Sequence, residues 1–434
     1  MNDVILGLHD GHNAAAAIFK DRRIVAAVQE ERITRLKNQA GIPHKAIKDI
    51  YALVTYYLGM TPLEHEYKVM GLAPYLGGPA KAREYAQIFH SLLEFGPHAP
   101  LVWKRRAGVP PVHCAYRFIQ NLLRRKRFDA LAAGLQQFTE DMLLQWVRNC
   151  VLETGIRTVA LSGGVFMNVK ANARILALPE VDRLFIFPSC GDESNSIGAA
   201  YHAYAQSCIA QGQAVEIEPL GPLYWGRGFD DAQAEQALRA FSGRSRLRFE
   251  HVSDIERRTA EMLAKGEIVA RAKGRMEFGA RALGNRSILA RADDTRTVRI
   301  INDMIKNRDF WMPFAPAVLA ERAEDYYVKP KPVFAPYMII AFDSRPETRA
   351  KYIAGQHPYD FTARPQEVTE TWNPDFHRLL KEFEAITGEG IILNTSFNLH
   401  GYPIVYRPED ALDVLDRSGL KYLALANWWV SKET

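Results

Sequence analysis

Two α/β parts, residues 1–220 and 221–434, are the architecture this sequence predicts. Three observations lead there. A chain of 434 residues that is 47% hydrophobic can bury more than one core. Two strand, glycine turn and helix units follow one another between residues 158 and 205. The stretch "IEPLGPLYWGRGF" (217–229), punctuated by glycine and proline, then reads as a linker before a second α/β region.

Taken in order, "VILGLHDGHNAAAAIFKDRRIVAAVQEERI" (4–33) alternates apolar runs with a Gly/His/Asp/Asn loop and a polar turn, the pattern of a three-stranded meander. In "FDALAAGLQQFTEDMLLQWVRNCV" (128–151), Leu131, Leu135, Phe138, Met142 and Trp146 recur at three- and four-residue spacing and form one apolar face of a long core helix. "TVALSGGVFMNVKAN" and "RLFIFPSCGDESNSIGAAYHAYA" are the two repeated units, with loops that should open at one end of a sheet.

Composition excludes several classes. Lys and Arg number 55 against 50 Asp and Glu, a net +5, so there is no basic tail for nucleic acid. The Arg-rich "NLLRRKRF" (121–128) lacks interleaved aromatics and reads as a solvated helix face. No run approaches a membrane span and "MNDVILG" is no signal sequence, so a cytoplasmic protein is expected. Cys114, Cys150, Cys190 and Cys208 show neither paired nor metal-ligand spacing, which fits free thiols.

Positive charge does concentrate in "KGRMEFGARALGNRS" (273–287), which sets Lys273, Arg275, Arg281 and Arg286 among three glycines. Guanidinium groups grip phosphate or carboxylate with two prongs. Gly279 and Gly284 are expected to let the backbone approach a ligand, with Asn285 and Ser287 as neutral donors. "INDMIKNRDFWMPFAPAVL" adds Lys306 and Arg308, "TARPQEV" adds Arg364, and the apolar strand in "IILNTSFNLHGYP" ends in Asn394, Ser396 and Asn398, polar groups that need partners.

"GRMEFGARALGNRSIL", "KNRDFWMPFAP", "TARPQ" and "LNTSFN" resemble, in that order, the C-terminal YrdC-like domain of the NodU/CmcH-type O-carbamoyltransferases, the family that includes the tobramycin carbamoyltransferase. "HDGHNAAAAI", "QEERITRLK", "EHEYKVMGLAPY", "LSGGVFMN" and "GDESNSIGAA" are similar to its N-terminal Kae1-like domain, of the actin, Hsp70 and sugar kinase type. The resemblance implies a cytoplasmic enzyme that uses ATP with Mg²⁺ and carbamoyl phosphate to form carbamoyl-adenylate. The carbamoyl group then passes to the hydroxyl of a small molecule, as in antibiotic biosynthesis or nodulation. It implies that Lys273, Arg275, Arg281, Arg286, Lys306, Arg308 and Arg364 face the anionic groups, with Asn285, Ser287, Asn394, Ser396 and Asn398 on polar atoms. Gly163, Gly164, Asn168 and Gly191 would approach the nucleotide, Asp192 would ligate a metal, iron in the family, and Asp10 or His12 would position or deprotonate the acceptor. A homodimer is a further implication, and neither nucleic acid nor membrane is an expected partner.

One departure from the family stands out. "GIPHKAIKDI" runs directly into "YALVTYYLGM", so the join near 48–51 omits the segment that in the family holds a His-His-x-x-His-Ala metal motif and an Asp-Gly-x-Gly-Asp loop. The first domain is thus a shortened one, and the Val4–Val28 meander is expected to expose apolar surface. A non-catalytic sensor of ATP and carbamoyl phosphate, a transfer-defective paralogue, and a threonylcarbamoyl-adenylate enzyme of tRNA modification stay open as alternatives.

Overall fold

The apolar stripe read at 131–146 becomes the helix Phe128–Thr154, with Leu131, Leu135, Phe138 and Met142 buried and Trp146 half-buried. The computed structural model describes residues 5–9, 15–29, 46–96, 99–111, 114–306 and 308–433. Helix Pro79–His90 packs against this long helix. A Cβ built at Gly134 would meet the Tyr85 backbone at 2.7 Å, so the close crossing needs glycine there. The Arg-rich segment is exposed as expected, but residues 124–127 form the turn between helices Tyr116–Leu123 and Phe128–Thr154 rather than a helix face.

Strands Ile5–His9, Ala15–Lys20 and Arg23–Gln29 form the expected antiparallel meander, and helix Asn195–Ala210 lies against the first two. The expectation of open apolar surface on this meander falls on side chains outside the described residues. Where the resemblance places a join, near 48–51, the chain forms the uninterrupted helix Ala46–Tyr57. Ile47, Ile50, Tyr51 and Val54 are buried at i, i+3, i+4 and i+7, so the residues brought together there make one amphipathic face.

The two repeated units appear as strand Thr158–Leu161 with helix Val169–Leu176, and strand Arg183–Ile186 with helix Asn195–Ala210. Their strands pair in parallel, which places both following loops at the same end of the pair. The Gly163 amide donates to the Cys190 carbonyl at 3.0 Å and ties one loop to the other.

Residues 213–225 contain neither helix nor strand. Beyond them lies an eight-stranded mixed sheet, in spatial order Gln366–Val368, Ala315–Leu319, Ile391–Ser396, Arg286–Ala290, Val269–Ala272, Tyr422–Leu425, Trp428–Lys432 and Leu247–His251. Two neighbouring pairs are parallel and the others antiparallel. Helices Ile255–Ala264 and Pro374–Thr387 pack together, and Ile255, Leu263, Phe376 and Leu380 share a core with Val269, Leu289 and Ile392 of the sheet. Burial of the central strands on both faces explains why they read as continuous apolar runs.

Candidate functional site

The two parts meet along a seam of specific polar contacts. Lys68, buried on helix Glu66–Leu72, pairs with Asp309 at 3.0 Å, and its carbonyl accepts from the Trp311 indole at 3.1 Å. One turn on, the Gly71 carbonyl accepts from His357 Nε2 at 2.8 Å. His357 Nδ1 accepts from the Tyr359 and Asp360 amides, which leaves the donating proton on Nε2. Asn172 donates to the Ile339 carbonyl at 2.8 Å, and Lys170 pairs with Asp360. Burial alone would lift the Asp360 carboxyl, but the Lys170 ammonium paired with it holds it well below the usual carboxylate range.

A cavity of about 510 Å³ opens at this seam and is lined from both sides. Of the residues singled out in the sequence, Gly164, Asn168, Gly191 and Asp192 line it from the N-terminal part. Arg281, Lys306, Arg308, Arg364, Ser396 and Asn398 line it from the C-terminal part.

Three guanidinium groups define its character. Burial pushes Arg281 down to about 10, with the neighbouring charge of Arg308 acting in the same direction. Burial also lowers Arg308 and Arg364, and Arg364 feels the repulsion of both other arginines. Among the described residues none of the three forms an ion pair, and Arg281 Nε is buried without a hydrogen-bond partner. Like charges gathered in a half-buried cavity favour an anion that joins them. Arg308 lies over the Phe314 ring at 5.2 Å, and Arg364 donates to the carbonyl of Met338, whose φ of 55° is a strained conformation for a side-chain-bearing residue.

Lys306 arrives on the π turn Asn302–Lys306. Its ammonium donates to Asn398 Oδ1 at 2.7 Å, to Ser396 Oγ at 3.1 Å and to the carbonyls of Ser396 and Asn398. Ser396 and Asn398 are therefore held by Lys306 and by each other, Ser396 Oγ donating to Asn398 Oδ1 at 2.6 Å. These partners are neutral oxygens that orient the ammonium.

Other expected ligand groups have different work. Lys273 pairs with Glu256 at 2.7 Å and Asp375 at 3.2 Å. Arg275 donates to the carbonyls of Trp225 and Gly226. Arg286 is buried over the Phe229 ring and donates to the carbonyls of Lys273, Gly274 and Asn285. Asn285 bonds Arg271, Asn373 and the Arg275 carbonyl, and Ser287 Oγ accepts the Gly284 amide. Asn394 is tied to Gln366 and the Ala282 carbonyl. None of these residues lines the cavity, nor does Gly163.

The glycines need correction as well. Gly279, at φ 101°, approaches Ser189 across the seam, where a Cβ would meet Ser189 Cβ at 2.7 Å. Gly284, at φ 107°, approaches the Phe376 ring, where a Cβ would meet Cδ1 at 2.4 Å. Close protein packing, rather than a ligand, accounts for both.

In the N-terminal part, Asn168 caps helix Val169–Leu176 through the Ala171 amide and exchanges amide hydrogen bonds with Gln136. Asp192 opens the short turn Asp192–Ser194, and the N-cap of the following helix is Ser194. Among the described residues no group of three or more His, Cys, Asp or Glu side chains gathers as a metal site. Asp10 and His12 lie outside the described residues.

Lining residues not singled out include Lys48, Glu66, Tyr67, Lys170, His357 and His400. Glu66 accepts the Leu63 amide at 2.6 Å, and burial raises its pKa. The run "EHEYKVMGLAPY" contained the signal for Glu66 and Tyr67, but its spacing did not say which side chains face the cavity.

Comparison with known proteins bears on this arrangement. The family profile for the carbamoyltransferase N-terminus matches residues 44–201, and that for the carbamoyltransferase C-terminus matches residues 260–432. The chain is 35% identical to the uncharacterized protein MJ1058 of Methanocaldococcus jannaschii over 377 residues, covering 86% of this chain and 60% of that protein. It is 32% identical to nodulation protein NolO of Bradyrhizobium diazoefficiens over 402 residues, covering 90% of this chain and 69% of NolO. A second Methanocaldococcus jannaschii protein, the uncharacterized MJ1051, is 25% identical over 533 residues, covering 99% of this chain and 100% of its own length. An alignment longer than these 434 residues, with both chains covered, means that this relative has internal segments absent here.

Proposed function

We propose a carbamoyl-transfer reaction for this chain, which belongs to the carbamoyltransferase family, as its matches to both family profiles and its likeness to NolO show. Carbamoyl phosphate and ATP bind at the cluster of Arg281, Arg308, Arg364 and Lys306. There they form carbamoyl-adenylate, pyrophosphate and inorganic phosphate with one water consumed. The observation that carries this reading is the set of three half-buried guanidinium groups facing one cavity, none of which forms an ion pair among the described residues.

Positioning does most of the work in such chemistry. The arginine forks hold phosphate oxygens and draw off charge as pyrophosphate leaves. Lys306, oriented by Ser396 and Asn398, supplies a further positive group to the same anion. Mg²⁺ would enter with the ATP phosphates and supply further positive charge to them. The second step passes the carbamoyl group to a small-molecule hydroxyl, of the antibiotic or sugar-derivative class, in the part of the cavity lined by Gly164, Asn168 and Asp192.

The test is exchange of labelled pyrophosphate into ATP by the full chain. Exchange that requires carbamoyl phosphate supports the reading. ATP binding without exchange would make the chain a non-catalytic sensor.

A further inference from the structure

We infer that Tyr67, from the N-terminal part, is a ligand group of the arginine cluster, its phenol hydroxyl donating to a phosphate oxygen of the anion bound there. The inference rests on the reading of that cluster as an anion site. Tyr67 lines the same cavity as Arg281, Arg308 and Arg364. Its phenol oxygen is within electrostatic reach of both Arg281 and Arg308. The residue is 42% exposed although it lies on a helix pinned at the seam, and its ring meets His65 edge-on at 6.4 Å between centroids. Among the described residues its hydroxyl has no hydrogen-bond partner.

The helix Glu66–Leu72 holds this hydroxyl in place. The residue after Tyr67 is locked by the Lys68 pair with Asp309 and by the Trp311 indole, and Gly71 is locked by His357. Little ordering remains to be done when an anion arrives. The chemistry also selects the guest: guanidinium groups only donate, whereas a phenol can accept from an arginine and donate to an oxyanion at once. A tyrosine serving only to pack the seam would bury its ring and pair its hydroxyl. Each part of the chain therefore contributes to one phosphate site.

Carbamoyl phosphate and ATP both present the oxygen required, so both are titrated calorimetrically against the full chain, against Tyr67→Phe and against Arg308→Ala. Tyr67→Phe keeps the ring and the seam packing. Loss of one hydrogen bond to a charged group should weaken binding of carbamoyl phosphate, of ATP or of both by about tenfold or more. The ligand affected identifies whose phosphate Tyr67 meets. Saturation with that ligand should also perturb the tyrosine ultraviolet spectrum of the wild type and not that of the variant. Wild-type affinity of Tyr67→Phe for both ligands, with Arg308→Ala impaired, would overturn the role of Tyr67 alone. Failure of the wild type to bind either ligand would overturn the anion site itself.

Discussion

Replacing Arg281 by alanine separates a functional arginine from a structural one. Arg281 has no ion pair among the described residues, its Nε is unpartnered, and it stands against Arg308 and Arg364. Removal relieves like-charge repulsion while losing the packing of the aliphatic stem, so stability should change by no more than about 1 kcal/mol, a few degrees in Tm. Ligand binding should respond very differently. A two-pronged contact to phosphate is worth two charge-assisted hydrogen bonds, and their loss, at about 3–4 kcal/mol together, is a weakening of roughly a hundredfold or more. Carbamoyl-phosphate-dependent pyrophosphate release and calorimetric binding measure the first effect, and thermal denaturation the second. Release within about fivefold of wild type would refute the reasoning, as would a fall in Tm above about 10 °C, which would make Arg281 a structural residue.

Arg286→Ala should behave in the opposite way, losing about 2–4 kcal/mol in denaturant unfolding because the carbonyls of Lys273, Gly274 and Asn285 lose a buried donor. Asp360→Asn should loosen the seam by about 2–3 kcal/mol at neutral pH by removing the partner of Lys170. Because the native Asp360 pKa is depressed, its contribution is complete above the ordinary carboxylate range and disappears as pH falls through the depressed value. Wild-type and variant unfolding curves should therefore converge only in strong acid. Gly279→Ala should cost about 2–4 kcal/mol by thermal denaturation, from the positive φ and the contact with Ser189 together.

Local pattern carried the sequence reading where partners are near in the chain. The stripe at Leu131, Leu135, Phe138 and Met142 makes its helix by itself, and the two glycine turns after apolar runs make the parallel pair. Arg281, Lys306, Arg308, Arg364, Ser396 and Asn398 were legible as a polar group because an apolar sheet has no other use for them. Lys273, Arg275 and Arg286 carry the same residue types in the same stretch, yet their partners are Glu256, Trp225 and the backbone of the segment itself. Nothing in a run of arginine and glycine distinguishes a carbonyl some fifty residues away from a phosphate. The seam was hidden for the same reason: Lys68 meets Asp309 and Gly279 meets Ser189 only after both parts have folded. Near 48–51, where the resemblance places the join, the structure has one helix with a continuous buried face.

Pyrophosphate release by the purified chain with ATP, Mg²⁺ and carbamoyl phosphate tests the central claim most directly. The proposed anion site predicts release that requires carbamoyl phosphate and that persists without any hydroxyl acceptor, since Arg281, Lys306, Arg308 and Arg364 face one cavity. ATP bound with no pyrophosphate released would contradict it.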